Sequence, residues 1–192
     1  MPEPASPSQA LPRLAGLLLL AALLLWLPGQ AGAWRFTEWG LGVFAHNDID
    51  IQGANLGGTG LDLDVAGALW EGAGLRLDLR LEGSVAKFWN YANGLEVSLA
   101  PGLRLYLPSF GEIGAEPFLE GGLGPSWDNL HIDEVGSALN FLSFGGIGLR
   151  LPLEGSKLEL GYRLRHISNG GLDERNHGVT SNLLRLALVW EM

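Results

Sequence analysis

Lys157-Leu158-Glu159-Leu160-Gly161-Tyr162-Arg163-Leu164-Arg165-His166-Ile167-Ser168 alternates residue by residue. Leu158, Leu160, Tyr162 and Leu164 are apolar, while Lys157, Glu159, Arg163 and Arg165 are charged. Successive side chains of a strand point to opposite faces, so this period of two reads as a β-strand with one apolar face. Carried forward, the parity places His166 and Ser168 on the apolar face. A base and a hydroxyl two residues apart in a strand share a side and can meet.

The same alternation recurs along the chain. Leu75, Leu77, Leu79 and Leu81 alternate with Arg76, Asp78, Arg80 and Glu82. Leu95-Val97-Leu99 and Leu103-Leu105-Leu107 interleave with Glu96, Ser98, Arg104 and Tyr106. Leu61-Leu63-Val65 alternates with Asp62 and Asp64, and Leu184, Leu186, Leu188 and Trp190 with Arg185, Ala187, Val189 and Glu191. Weaker strands are readable near 35–46, 117–126 and 137–151. With the strand at 157–167, these make eight.

Alternation alone also suits a soluble sandwich with leucines inward. Three features favour an eight-stranded antiparallel transmembrane β-barrel of the outer membrane. The apolar positions are mostly leucine, whereas soluble sheets favour β-branched and aromatic residues. Aromatics (Trp39, Trp70, Phe88, Trp89, Tyr91, Tyr106, Trp127 and Trp190) fall near strand ends, as interfacial girdles do. Connections alternate in length: short at 71–73 and 153–156, long at 47–60, 127–136 and 168–181. Small outer-membrane barrels show short periplasmic turns and long external loops, although the turn at 108–116 is longer than that pattern asks. In a barrel the charged face points inward, where guanidiniums and carboxylates of mixed sign would satisfy one another and fill the lumen.

The N-terminus agrees. Leu14 to Leu27 is a leucine/alanine run preceded by Arg13 and followed by Pro28-Gly29, and it is shorter than the roughly 20 residues a spanning helix needs. Ala31 and Ala33 form a small-residue cleavage pattern, so residues 1–33 read as a secretory signal peptide and 34–192 as the mature domain. The net charge of −9 persists in that domain, because Glu3 and Arg13 leave together. No basic surface for nucleic acid is evident. There is no cysteine, hence no disulfide or thiolate metal site, and neither a metal nor a cofactor is expected. With both termini periplasmic, the strand at 157–167 climbs outward and delivers His166 and Ser168 to the external leaflet.

His166-Ile167-Ser168-Asn169, followed by Gly170-Gly171 and then Asn176-His177-Gly178, resembles the lipid A 3-O-deacylase family (PagL). That family carries a His-x-Ser-Asn motif late in a small outer-membrane barrel. The resemblance implies an outer-membrane serine esterase that removes the 3-O-linked acyl chain of lipid A, with lipopolysaccharide as its substrate. It implies Ser168 as nucleophile and His166 as base, with Asn169, Gly170 and Gly171 around the oxyanion. One departure stands out. The family's acidic residue, fourteen positions after the histidine, is Thr180 here. A threonine hydroxyl can orient the imidazole but cannot stabilise imidazolium as a carboxylate does. Asp173 or Glu174 in the last loop are the candidate substitutes, against a reading of both as solvated loop charges.

Other readings stay open. His166 and Ser168 also suit a non-enzymatic barrel, structural or adhesive, as polar strand-end residues in the headgroup zone. A lipid acyltransferase on a similar barrel is a third reading. His46-Asn47-Asp48 with Asp50 reads as a first-loop cluster that is either a cation site or merely solvated, and Arg175 and His177 either meet lipid A phosphates or face water.

Overall fold

Parity governs the architecture seen in the computed structural model, which describes residues 35–51, 55–130, 132, 134–171 and 177–192. The signal-peptide reading of 1–33, and with it the domain boundary, lies outside the described residues. Eight strands, β1 (Glu38–Asp48), β2 (Leu56–Gly72), β3 (Leu75–Asn90), β4 (Gly94–Tyr106), β5 (Glu116–Asp128), β6 (Leu139–Leu153), β7 (Ser156–Ser168) and β8 (Val179–Glu191), run in sequence order around a closed barrel. Every neighbouring pair is antiparallel, and β8 returns to β1. Closure removes the free sheet edges, which a structure in lipid cannot leave unpaired. At 11 to 17 residues, each strand is long enough to cross a bilayer.

Leucines and valines face outward and the charges inward, as expected. Leu61, Leu99, Leu160, Leu164 and Leu184 are exposed, while Arg104, Arg150 and Glu159 are each only 1% exposed. Arg163 grips Glu82 with two bonds of 2.8 and 2.7 Å and donates to Glu120 at 2.7 Å. Glu120 also accepts from Arg80 and Arg104. Arg185 joins Asp62, Asp64 and Glu159, and Arg150 joins Glu159 to Glu38. The carboxylates of Asp62, Asp64 and Glu82 converge closely enough for a cation. Arg185, Arg80 and Arg163 already neutralise them. Each charge in this lumenal network thus has an opposite one beside it, the condition for tolerating charge away from water.

One end of the barrel carries the start of β1, the end of β8 and the connections 73–74, 107–115 and 154–155; the other carries 49–55, 91–93, 129–138 and 169–178. At this loop end the lumen turns apolar. Phe44, Leu56, Phe88, Leu142, Ile167, Val179 and Leu183 pack together with Leu130 and Val135.

Three details depart from the sequence reading. Phe88 and Tyr106, expected in a girdle, are 1% and 2% exposed inside the barrel, where Tyr106 lies against the Arg76 and Arg150 guanidiniums. They keep the inward phase of Arg80 and Arg104. Trp70 does reach the outer surface, but only because a bulge between Ala68 and Trp70 shifts the register by one residue. Finally, β2 starts at Leu56, inside the expected loop 47–60. Gly58 and Gly60 face His46 and Phe44 across the sheet, and a Cβ on Gly60 would lie 2.3 Å from the Phe44 ring. Glycines that read as loop residues are therefore strand positions cleared for inward rings.

Candidate active site at the loop end of β7 and β8

On β7 the even-numbered residues face outward. Leu160, Tyr162 and Leu164 are exposed, and His166 and Ser168 follow on the same face, half-buried. Alternate residues of a strand are about 6.6–6.8 Å apart along its axis, so Ser168 stands one same-face step beyond the imidazole. The expected shared face is therefore present.

Thr180 sits directly opposite His166 in the β7–β8 register. Its carbonyl accepts from the Ile49 N–H at 2.9 Å, and its N–H donates to Asp50 Oδ2 at 2.7 Å. Both main-chain groups of Thr180 thus turn toward β1 and away from β7. His166 and Thr180 form a non-hydrogen-bonded pair, the kind whose side chains approach closest. His166 Nδ1 and Thr180 Oγ1 lie 3.0 Å apart, within hydrogen-bond distance. With Nδ1–H donating to the hydroxyl, the Nε2 lone pair is left to accept a proton.

The chain then turns. Asn169, being odd-numbered, faces the lumen and is fully buried. Its Oδ1 accepts from the Gly171 N–H at 2.9 Å, and its Nδ2 donates to the Val135 carbonyl at 3.4 Å. The amide therefore ties the turn to the 129–138 connection and does not reach the outer face. Gly170 and Gly171 both have positive φ, 67° and 85°, a conformation that favours glycine. Among the expected oxyanion donors, the Gly171 N–H is taken by Asn169, while the Gly170 N–H has no acceptor among the described residues.

Gly178 closes the imidazole side. Its φ is +73°, and a Cβ there would sit 2.5 Å from His166 Cε1 and 2.7 Å from Nε2. Its N–H donates to the Glu134 carbonyl at 2.8 Å, so the 129–138 connection braces both flanks of the site. Gly178 carries no reactive group, so only the fold shows its place beside the imidazole. Ser143, the cross-strand partner of His166 on β6, and Asn182, which accepts from Tyr162 OH at 2.5 Å, also belong to this outer patch. Strand parity was the signal that could have found them.

The first-loop cluster does not assemble. His46 and Asp48 belong to β1; His46 points inward between Phe44 and Phe88, with centroids 6.2 and 4.5 Å away. Asp48 accepts from the Leu56 and Ile51 N–H groups. Asp50 turns to the candidate site, and Asn47 is exposed on the outer face opposite Asn182. Asp173, Glu174 and Arg175 lie outside the described residues, and His177 is exposed.

The family model described as lipid A 3-O-deacylase (PagL) matches residues 55–189. Among solved structures, the chain is similar to the crystal structure of the outer membrane enzyme PagL, with a TM-score of 0.58 and 24% identity over 78% of this chain and 97% of that one. It is also similar to Neisserial surface protein A, with a TM-score of 0.54 and 13% identity over 81% of this chain and 97% of that one. No curated protein matches the chain. Two proteins so differently named share this fold, so the fold alone does not choose between them.

Proposed function

Because the chain belongs to the lipid A 3-O-deacylase (PagL) family, we propose that it is an outer-membrane esterase that removes the 3-O-linked acyl chain of lipid A through an acyl-enzyme. The observation that carries this reading is the outward face shared by His166 and Ser168, with the imidazole held by Thr180 at 3.0 Å. That face meets lipid, and the loop end meets the external leaflet if an exported chain keeps both termini periplasmic. Ester bonds lie at the boundary between headgroup and hydrocarbon, at the height of these residues, so the substrate need not leave the membrane.

In the reaction Ser168 Oγ attacks the ester carbonyl carbon while its proton passes to His166 Nε2. The Gly170 N–H stabilises the oxyanion. The tetrahedral intermediate collapses by breaking the bond to the sugar oxygen, which takes the proton from the imidazolium. Water then attacks the acyl-Ser168 ester, giving a proton to His166; the intermediate breaks its bond to Ser168 Oγ, which takes that proton back, and the fatty acid leaves. Below the site, Leu160, Leu164, Leu184 and Leu186 form an apolar outer wall along which the acyl chain lies.

Mass spectrometry of lipid A from Gram-negative cells with and without this chain tests the reading. Loss of one ester-linked hydroxyacyl chain is expected. Unchanged lipid A, from cells whose membranes contain the folded barrel, would favour a non-enzymatic surface protein.

A further inference from the structure

We infer that Asp50, in the connection between β1 and β2, supplies the carboxylate that Thr180 lacks, acting on His166 as a positioning residue. The inference rests on the esterase reading above. In that reading the imidazole becomes positively charged each time it takes the Ser168 proton, and a neutral hydroxyl alone stabilises that charge poorly.

The geometry supplies a negative group at the same seam. The β1–β8 ladder pairs Asp48 with Ser181, and the next bond is Ile49 N–H to the Thr180 carbonyl. A continued ladder would return the Thr180 N–H to the Ile49 carbonyl. Instead the Asp50 carboxylate takes that N–H, at 2.7 Å. The acidic group is therefore fastened to the residue whose hydroxyl holds the imidazole. Of the neighbouring carboxylates among the described residues, Asp48 binds the Leu56 and Ile51 N–H groups, and Glu134 Oε1 meets Tyr91 OH at 3.5 Å.

A hydroxyl that accepts from His166 Nδ1–H still has its own proton to donate, and a carboxylate on the same residue's main chain polarises it. The negative charge also acts on the imidazolium through space, at the membrane boundary where screening is weaker than in bulk water. In this chain the acidic partner thus comes from the first connection, while β8 contributes the hydroxyl that passes its influence on.

Asp50→Asn is the informative variant, because the amide oxygen can still accept the Thr180 N–H while the charge is gone. With purified protein in detergent micelles and lipopolysaccharide as substrate, kcat is expected to fall at least about ten-fold, with KM within about two-fold. Heat-modifiable migration on gels reports the folded barrel. Adding Asp50→Asn to Thr180→Glu, where a carboxylate already stands beside His166, should cost less than about two-fold. An Asp50→Asn enzyme as fast as the parent overturns the inference while leaving the esterase reading intact. So does an equal loss in both backgrounds, which would mark Asp50 as a loop tie only, or a Thr180→Glu enzyme slower than the parent. A folded parent that releases no fatty acid overturns the esterase reading, and this inference with it.

Discussion

His166 Nδ1 lies 3.0 Å from Thr180 Oγ1, joining two strands that otherwise turn their main-chain bonds away from each other at this row. In the esterase reading the contact gives Thr180 a defined part, which is to fix the imidazole plane and tautomer so that Nε2 is left to take the Ser168 proton. Thr180→Val keeps the shape and removes the hydroxyl, so kcat should fall by about ten-fold or more with the barrel intact. Thr180→Glu puts a carboxylate in its place and should hydrolyse lipid A as fast as the parent or faster. Its position near the interface keeps the penalty for a lipid-side charge well below the roughly 2–4 kcal/mol of mid-bilayer. Unaltered rates in both variants would remove Thr180 from the mechanism.

Ser168→Ala and His166→Ala should each reduce deacylation by about four orders of magnitude or more, and the double variant should be no worse than either single one, since the two act as a unit. Both residues are half-buried on the outer face, so the folded barrel should persist. Fatty-acid release from lipopolysaccharide, assayed beside heat-modifiable migration, separates the two effects. An active Ser168→Ala protein would exclude this nucleophile.

Gly178 and Gly155 share a φ of +73°, yet only Gly178 adjoins the imidazole; a Cβ on Gly155 would meet nothing within 4 Å. Alanine at either position carries a similar backbone cost of about 1–2 kcal/mol. Gly178→Ala alone must also displace His166, and should lower kcat at least about ten-fold. Gly155→Ala, in the β6–β7 turn at the opposite end, should keep parental activity. Equal activities in the two variants would show that Gly178 matters only for its backbone.

Much of this arrangement is legible in the sequence because a lipid-facing barrel imposes two unlike environments on alternate residues. Leu158 to Ser168 can be read to its outer face without any tertiary information, and Thr180 falls opposite His166 once the two strands are paired. The same parity sends Asn169 inward, so its side chain was readable as a turn brace. What stays hidden depends on events that parity does not carry. Trp70 faces lipid only through the bulge beside Ala68, and β2 reaches back to Leu56 because Gly58 and Gly60 accommodate rings from β1. Asp50 meets Thr180 across a separation of 130 residues, and no local pattern announces such a contact.

The charged lumen offers a separate test of what holds the barrel. Arg163 donates to Glu82 through two bonds and to Glu120 through its Nε. Glu120 keeps Arg80 at 2.9 Å and Arg104 at 2.7 Å when Arg163 is removed. Glu82 has no other ion-pair partner within 4.0 Å among the described residues. Arg163→Met should therefore leave one buried carboxylate uncompensated, costing about 3–5 kcal/mol. Adding Glu82→Gln removes that charge, and should recover at least about half of the loss even though no new bond is made. Urea unfolding in detergent, followed by tryptophan fluorescence, gives the midpoints for parent, single and double variants. A single variant as stable as the parent would mean that water or a neighbouring cation reaches Glu82. A double variant no more stable than the single one would place the loss in packing of the Arg163 side chain against Phe144, whose ring lies 4.3 Å from the guanidinium carbon.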